Sequence, residues 1–242
     1  MRRYLYPLWW RLSRPVFFPR AAAALDRVKG APDHDEFLTR LWAYDGPDVY
    51  ADIAPMQIPG ELRELMQLVE ERQPKRLLEV GTATGGTLFA LARVCPHDAV
   101  LVSLDLPGRQ FGGGYPAPRE PLYRRFAFGR QRVELLRGDS HTEELRDRAA
   151  ALVPGGKFDV IFIDGDHRYE GVSRDFDLYS PLLVEGGLLA FHDINENTTF
   201  GVPRLWQELT SGQRGLVGSP TEIVHRPDRP GYGIGVFVRA GG

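Results

Sequence analysis

Short apolar runs alternate along the chain with stretches whose apolar residues recur at helical spacing. The apolar runs indicate buried strands at 76–80, 99–104, 133–136, 158–163 and 187–191. Helical periodicity lies between and around them, at 59–73, 87–94, 141–152, 171–183 and after 203. Two further apolar stretches flank the turn sequence PDRPGY and predict a hairpin, near 221–226 and 233–239. The pattern predicts an α/β fold, a doubly wound, Rossmann-like sheet of seven strands with a C-terminal antiparallel hairpin strand.

The strand ends locate the candidate chemistry. In doubly wound sheets, ligands bind beyond the carboxyl ends of the strands. The five predicted parallel strands end at Val80, Leu104, Leu136, Ile163 and Phe191. Each of these residues is followed within two positions by glycine, aspartate or histidine. Polar groups from distant parts of the chain are therefore expected to meet at one edge of the sheet.

The first strand runs into a glycine-rich loop, EVGTATGG. Gly81 and Gly85 permit a sharp turn and a close approach of a ligand to the backbone, with Thr82 and Thr84 between them. A P-loop would require Gly-Lys-Ser/Thr, which the sequence lacks. The dinucleotide fingerprint would require glycine where Ala83 stands. The loop is thus either a cofactor site of another kind or an ordinary strand–helix turn.

Acidic residues follow the second and third strands. Asp105 has the position of an acid that accepts hydrogen bonds from ribose hydroxyls, or it is a helix cap or surface acid. Asp139 and Ser140 follow the third strand, where Asp139 either receives an adenine amino group or caps the helix that begins near Thr142.

The fourth and fifth strands both end in aspartate and histidine. Asp164-Gly-Asp-His167 follows the fourth strand, and His192-Asp193 follows the fifth. Carboxylate oxygens suit a hard cation such as Mg²⁺. Two adjacent carboxylates would repel each other without a cation or proton between them. The alternative is that these residues only cap the following elements.

Composition narrows the class of protein. The chain has 242 residues, of which 43% are hydrophobic and 26% charged, as in an ordinary soluble globular protein. A formal charge of −2 gives no basic excess, so nucleic acid is not an expected partner. A single cysteine, Cys95, excludes an internal disulfide and favours a cytoplasmic location. No apolar run approaches the ~20 residues of a membrane helix, so no transmembrane segment is expected.

The first 30 residues differ from the remainder. They contain seven basic residues, one acid and six interleaved aromatic residues. Pro7 and Pro15 are expected to interrupt a long helix. The segment is interpreted as a helical cover on the core, or as a surface arm that contacts a membrane face or a second copy of the chain in a homo-oligomer. We divide the chain into an N-terminal extension, 1–52, and a main domain, 53–242.

Five motifs together resemble class I S-adenosylmethionine-dependent methyltransferases. They are LLEVGTATGG at 77–86, SLD at 103–105, RGDS at 137–140, FDVIFIDGDH at 158–167 and LLVEGGLLAFHD at 182–193. The resemblance covers about residues 53–240. Within the class, the chain is similar to cation-dependent O-methyltransferases of natural-product and sugar methylation and to the cephalosporin-hydroxylase-like proteins.

The resemblance implies a role for each group. S-adenosyl-L-methionine would be bound by Glu79, Gly81, Thr82, Thr84, Gly85, Asp105, Asp139, Ser140 and Asp164. A divalent cation, Mg²⁺ by analogy, would be held by Asp164, His192 and Asp193, with histidine at 192 where relatives often have another acid. His167 would be the general base. The implied reaction is methyl transfer to a hydroxyl of a small molecule, namely a sugar, polyketide or phenol.

Three segments are predicted to border the site. Residues 194–202 are expected to form a wall for the acceptor, and Met56 and Gln57 to cover the cofactor. The loop at 107–132, rich in arginine and aromatic residues, is expected near the cofactor ribose or over the acceptor.

Two other functions are compatible with the fold. A nucleotide-dependent oxidoreductase could use the same sheet, although Ala83 and the paired acids argue against it. A catalytically inactive scaffold that binds S-adenosylmethionine is the second alternative, because fold alone does not establish activity. A third alternative, a hydroxylase, agrees less well with the spacing of His167 than methyl transfer does.

Overall fold

The computed structural model describes residues 2–108, 114–196, 200–229 and 231–241, and of residues 2–14 it describes only the backbone. The helices are α1 Arg2–Lys29, α2 His34–Trp42, α3 Pro59–Arg72, α4 Gly86–Val94, α5 Glu120–Tyr123, α6 Glu143–Ala151, α7 Tyr169–Tyr179 and α8 Val202–Thr210. The strands are β1 Arg76–Val80, β2 Val100–Asp105, β3 Arg132–Arg137, β4 Phe158–Ile163, β5 Leu183–His192, β6 Gly218–Ile223 and β7 Ile234–Arg239.

The strands form one seven-stranded sheet in the order β3-β2-β1-β4-β5-β7-β6. The first five strands in this order are mutually parallel, and β7 lies antiparallel between β5 and β6. The register places Val80 beside both Leu104 and Ile163, so β1, β2 and β4 end side by side. The predicted α/β fold with its C-terminal hairpin is therefore confirmed.

Successive residues of the strands pack on opposite faces of the sheet. In β1, Leu77 belongs to an apolar cluster with α1–α4, whereas Leu78 belongs to a second cluster with α6–α8. Both side chains are fully buried. Coverage of both faces explains why the parallel strands read as continuous apolar runs.

The N-terminal helix α1 is continuous from Arg2 to Lys29, so the expectation that Pro7 and Pro15 would interrupt it is wrong. Its C-terminal part buries Ala21, Leu25 and Val28 in the same apolar cluster as α2 and α3. Burial of an apolar face can outweigh an unfavourable local propensity. Of the aromatic side chains predicted as anchors near the N-terminus, Phe17 and Phe18 are partly buried and pack against this cluster, and the others lie outside the described side chains. Within the described ranges, no helix combines the length and apolar character needed to cross a bilayer.

Part of the loop predicted at 107–132, between β2 and β3, forms short helical turns. A 3-10 turn at Ala117–Arg119, helix α5 and a second 3-10 turn at Arg124–Phe126 follow one another. Tyr123 and Phe126 are fully buried, and Phe126 stacks on Phe89 of α4 at a ring distance of 4.7 Å. Aromatic packing thus holds residues 117–126 of the predicted loop against the core. Arg109 and Phe111 of this segment lie outside the described residues.

Candidate active site

The glycine loop turns away from β1 directly against the end of β4. Gly81 has a φ of +91°, and a side chain there would collide with the carbonyl oxygen of Asp164. Gly85 has a φ of +87° and packs against Tyr123 and Phe126. Both backbones lie in the left-handed region that favours glycine. The predicted need for glycine at these two positions therefore has a steric reason.

Asp105 holds the glycine loop from β2. Its carboxylate accepts hydrogen bonds from the backbone N–H groups of Ala83 at 2.7 Å, Thr82 at 3.1 Å and Leu106 at 2.7 Å. Burial raises the pKa of Asp105, although these N–H donors act in the opposite direction. The Asp105 carboxylate thus binds the backbone of the glycine loop. Its predicted contact with a ribose stays a prediction.

Glu79 lies beneath the loop and is completely buried. Neither of its carboxyl oxygens has a hydrogen-bond partner among the described residues. Burial, reinforced by the charges of Asp164 and Asp105, raises the pKa of Glu79 well above its usual value. Burial without a hydrogen-bond partner thus favours the neutral form of Glu79, and its predicted support of the cofactor loop stays a prediction.

Tyr123, in the insertion between β2 and β3, supports the glycine loop, and this contact was not predicted from the sequence. The hydroxyl of Tyr123 donates to the carbonyl of Ala83 at 2.9 Å, and Arg119 donates to that hydroxyl at 3.2 Å. The available signal was the aromatic density of the segment between β2 and β3. Its packing partner could not be read from periodicity.

Asp139 and Ser140 lie beyond β3, away from the glycine loop contacts. Thr142 caps α6 by accepting from the N–H of Leu145, so the alternative that Asp139 caps this helix is wrong. Asp139 accepts instead from the backbone N–H of His141 at 3.0 Å, and most of its side chain is exposed. The predicted adenine contacts of Asp139 and Ser140 stay predictions.

Four side chains from the ends of β4 and β5 form the Asp–His cluster: Asp164, His167, His192 and Asp193. His192 Nδ1 lies 3.3 Å from an oxygen of Asp164 and 3.2 Å from one of Asp193. His167 Nε2 lies 3.6 Å from Asp164, and its Nδ1 lies 3.4 Å from Asp193. The two imidazoles therefore each lie between the two carboxylates, as the sequence-based grouping predicted.

Electrostatic interactions within the Asp–His cluster favour the ionised form of Asp164 and the protonated forms of His167 and His192. Burial opposes ionisation of Asp164, but His192 and His167 outweigh it and lower the pKa of Asp164 to about 2. Burial would lower the pKa of His192, yet Asp164 and Asp193 raise it to about 10. A hydrogen bond to Asp164 raises the pKa of His167. The negative charge of Asp164 is thus balanced within the cluster by the two imidazoles.

These residues fit a divalent cation. Ligand atoms of Asp164, His167 and Asp193 lie within 4.8 Å of one another. The sequence assigned His192 to the cation and His167 to proton transfer, whereas this geometry groups His167 with the carboxylates. His192 is 5% exposed, and its Nε2 has no partner among the described residues. Two carboxylates and an imidazole suit Mg²⁺, Mn²⁺ or a softer divalent ion.

The segment before α3 contacts the Asp–His cluster through Gln57, and the predicted cover of the cofactor by Met56 and Gln57 stays a prediction. We call residues 53–58 the covering segment. Gln57 is buried and donates from Nε2 to Asp164 at 2.7 Å, while the side chain of Met56 is 57% exposed. Gln57 was predicted to cover the cofactor, and a contact with Asp164 was not foreseen.

An open cleft of about 820 Å³ adjoins the cluster between α8 and β6. Its walls include Asn195, Glu196, Phe200, Pro203, Trp206 and Glu222. The ring of Phe200 contacts that of His167 at 4.6 Å between centroids, which links the cleft to the cluster. Part of the predicted acceptor wall at 194–202 therefore lines this cleft, and residues 197–199 lie outside the described ranges.

The sequence of the chain is similar to those of known methyltransferases. Residues 78–194 match a family model described as a methyltransferase domain. A rat protein, the transmembrane O-methyltransferase homolog, is 32% identical over 153 residues, which are 62% of this chain and 54% of that protein. The chain spans about half or less of the length of the curated relatives it matches.

Solved structures share the fold. The O-methyltransferase TomG from Streptomyces achromogenes, in complex with SAM, has a TM-score of 0.55 at 22% identity, with 90% of each chain covered. The MycE methyltransferase of mycinamycin biosynthesis, in complex with Mg, SAH and mycinamycin VI, has a TM-score of 0.53 at 16% identity, with 84% of this chain and 54% of that chain covered.

Residues 78–194 are therefore similar to a methyltransferase domain. The predicted resemblance of the chain to class I S-adenosylmethionine-dependent methyltransferases is confirmed.

Proposed function

We propose that the protein is an S-adenosylmethionine-dependent O-methyltransferase that acts on a hydroxyl of a small molecule with the help of a divalent cation. The observation that carries the proposal is the direct contact of the two halves of the site. Gly81 of the glycine loop lies against the backbone of Asp164, so a donor on the loop and an acceptor at the Asp–His cluster would be neighbours.

When bound, S-adenosylmethionine supplies an electrophilic methyl group, and a divalent cation supplies positive charge beside the acceptor oxygen. The chain itself must align the reactants, which can lower the barrier by roughly 7–11 kcal/mol. The glycine loop, held by Asp105, would position the donor. Asp164 and Asp193 would hold the cation.

His167 would receive the proton of the acceptor hydroxyl. The neutral imidazole is the form that accepts a proton, so His167 would act as the base at a pH above its raised pKa. The side chain of His167 is 32% exposed, whereas that of His192 is 6% exposed. His167 is therefore the imidazole that an acceptor can reach, and we assign His192 to positioning of the two carboxylates.

The cleft between α8 and β6 is our proposed acceptor site. Phe200 and Pro203 offer apolar surface, while Asn195, Glu196 and Glu222 offer hydrogen-bond acceptors and an amide. Such a mixture fits an acceptor that carries several hydroxyl groups on an apolar frame. A sugar, polyketide or phenol satisfies this description.

The proposal is tested by incubation of the full chain with methyl-deuterated S-adenosylmethionine, Mg²⁺ and a panel of hydroxyl compounds. Mass spectrometry is expected to detect a labelled methyl ether. Binding of S-adenosylhomocysteine without product across the panel would favour the inactive scaffold. Nicotinamide fluorescence that changes on mixing with the protein would favour the oxidoreductase.

Removal of divalent cations is expected to lower the methylation rate on the order of 100-fold, because cation charge contributes several kcal/mol to such reactions. The measurement compares initial rates in EDTA with rates after dialysis into Mg²⁺ or Mn²⁺. Restored activity on addition of the ion is the control for irreversible damage. An undiminished rate in EDTA would remove Asp164 and Asp193 from the proposed ligands.

A further inference from the structure

The side-chain amide of Gln57 joins two parts of the site. Its carbonyl oxygen accepts from the hydroxyl of Thr87 at 2.5 Å, and its Nε2 donates to Asp164 Oδ2 at 2.7 Å. Gln57 is 4% exposed and Thr87 is 7% exposed. The hydrogen bond to Thr87 is therefore buried and that to Asp164 is partly buried, and loss of one partner of a buried bond is costly.

The direction of the two hydrogen bonds made by the Gln57 side chain is fixed. The nitrogen of a side-chain amide donates hydrogen bonds and its oxygen accepts them, and Gln57 Nε2 lies on Asp164 Oδ2 while its Oε1 lies on the hydroxyl of Thr87. The amide NH₂ of Gln57 must therefore face Asp164, and its carbonyl must face Thr87. Because Gln57 occupies Oδ2, the other oxygen of Asp164 is left toward His167 and His192.

The same segment is attached to the glycine loop. Thr87 lies in the first turn of α4, immediately after the loop. The hydroxyl of Thr84 donates to the carbonyl of Ala54 at 2.7 Å. Gly86 packs so closely on Ile53 and Pro55 that a side chain there would collide with their backbone atoms. The covering segment is thus held by the loop on one side and by Asp164 on the other.

We propose that Gln57 is a positioning residue that couples the donor site to the cation site. The inference rests on the proposed function and adds a thermodynamic link between its two ligands. A donor molecule that fixes the glycine loop and covering segment also fixes the Asp164 carboxylate through Thr87 and Gln57. The cation then meets a site that is already ordered, and by linkage it strengthens donor binding by the same factor.

Calorimetry on the full chain tests this coupling, with S-adenosylhomocysteine and Mn²⁺ as probes. In the unmodified protein, S-adenosylhomocysteine is expected to bind about 5–150-fold more tightly in saturating Mn²⁺ than in EDTA, the usual range of coupling between sites. In Gln57→Leu, this ratio is expected to fall close to one while each probe still binds alone. Gln67→Leu, an exposed glutamine on α3, is the matched control and should keep the original ratio.

Two substitutions at Thr87 separate coupling from folding. Thr87→Val removes the hydroxyl but keeps the shape, so it should reduce the ratio as Gln57→Leu does, and it decides the question if Gln57→Leu does not fold. Thr87→Ser keeps the hydroxyl and should keep the ratio.

Three results would overturn the inference. If Gln57→Leu or Thr87→Val kept the affinity ratio of the unmodified protein, the Thr87–Gln57–Asp164 hydrogen bonds would carry no coupling. A ratio of one in the unmodified protein would remove the coupling while the proposed function stands. Failure of the unmodified protein to bind S-adenosylhomocysteine at all would reject both.

Discussion

His167→Ala is expected to lower the turnover number by about 10²–10⁴-fold, the usual contribution of a general base. The imidazole lies between Asp164 and Asp193 and is the more exposed of the two histidines in the cluster. Alanine removes the proton acceptor without altering the backbone of the glycine loop. The affinity for S-adenosylhomocysteine should therefore change little.

The measurement combines steady-state rates with Mn²⁺ titration, because the cluster geometry also permits His167 to be a ligand. Lost turnover with retained Mn²⁺ affinity supports the base, whereas a parallel loss of Mn²⁺ affinity assigns His167 to the cation. His97→Ala, an exposed histidine between α4 and β2, is the control. Full activity in His167→Ala would exclude both roles.

Gly81→Ala is expected to destabilise the protein by about 2–5 kcal/mol and to abolish donor binding, because left-handed strain and overpacking add at this site. The new methyl group would meet the carbonyl of Asp164, which belongs to the neighbouring strand end and cannot move away as a side chain can. Urea unfolding and S-adenosylhomocysteine calorimetry measure the two effects.

Gly212→Ala is the matched control for Gly81→Ala. Gly212 has a φ of +79°, but a side chain there would have nothing within 4 Å. It should therefore show only the left-handed penalty of about 1 kcal/mol and leave donor binding intact. Equal destabilisation of the two variants would contradict the proposed close contact between the glycine loop and Asp164.

Most of the sheet could be predicted from local sequence pattern. Apolar periodicity located β1, β2 and β4 to within a residue at each end. β5 is less well predicted, since it begins at Leu183 instead of 187, and β6 begins at Gly218 instead of 221. Both missed stretches contain exposed residues, such as Glu185 in β5 and Gly218 in β6, and exposure weakens the apolar signal.

The insertion after β2 and helix α1 were predicted less well. A loop was predicted over 107–132, where Tyr123 and Phe126 pack into the core, and proline suggested a break where α1 continues to Lys29. In both cases tertiary packing outweighed local propensity. Neither partner of such packing is visible within a short window of sequence.

The sequence by itself determined which residues meet at the edge of the sheet, because parallel strands end together and the residues after Val80, Ile163 and Phe191 must then be neighbours. Only the tertiary structure decided which of those side chains contact one another and which other residues they contact. Gln57 reaches Asp164 across 107 positions of the chain. A side-chain contact at such separation depends on the packing of whole elements, which no local periodicity encodes.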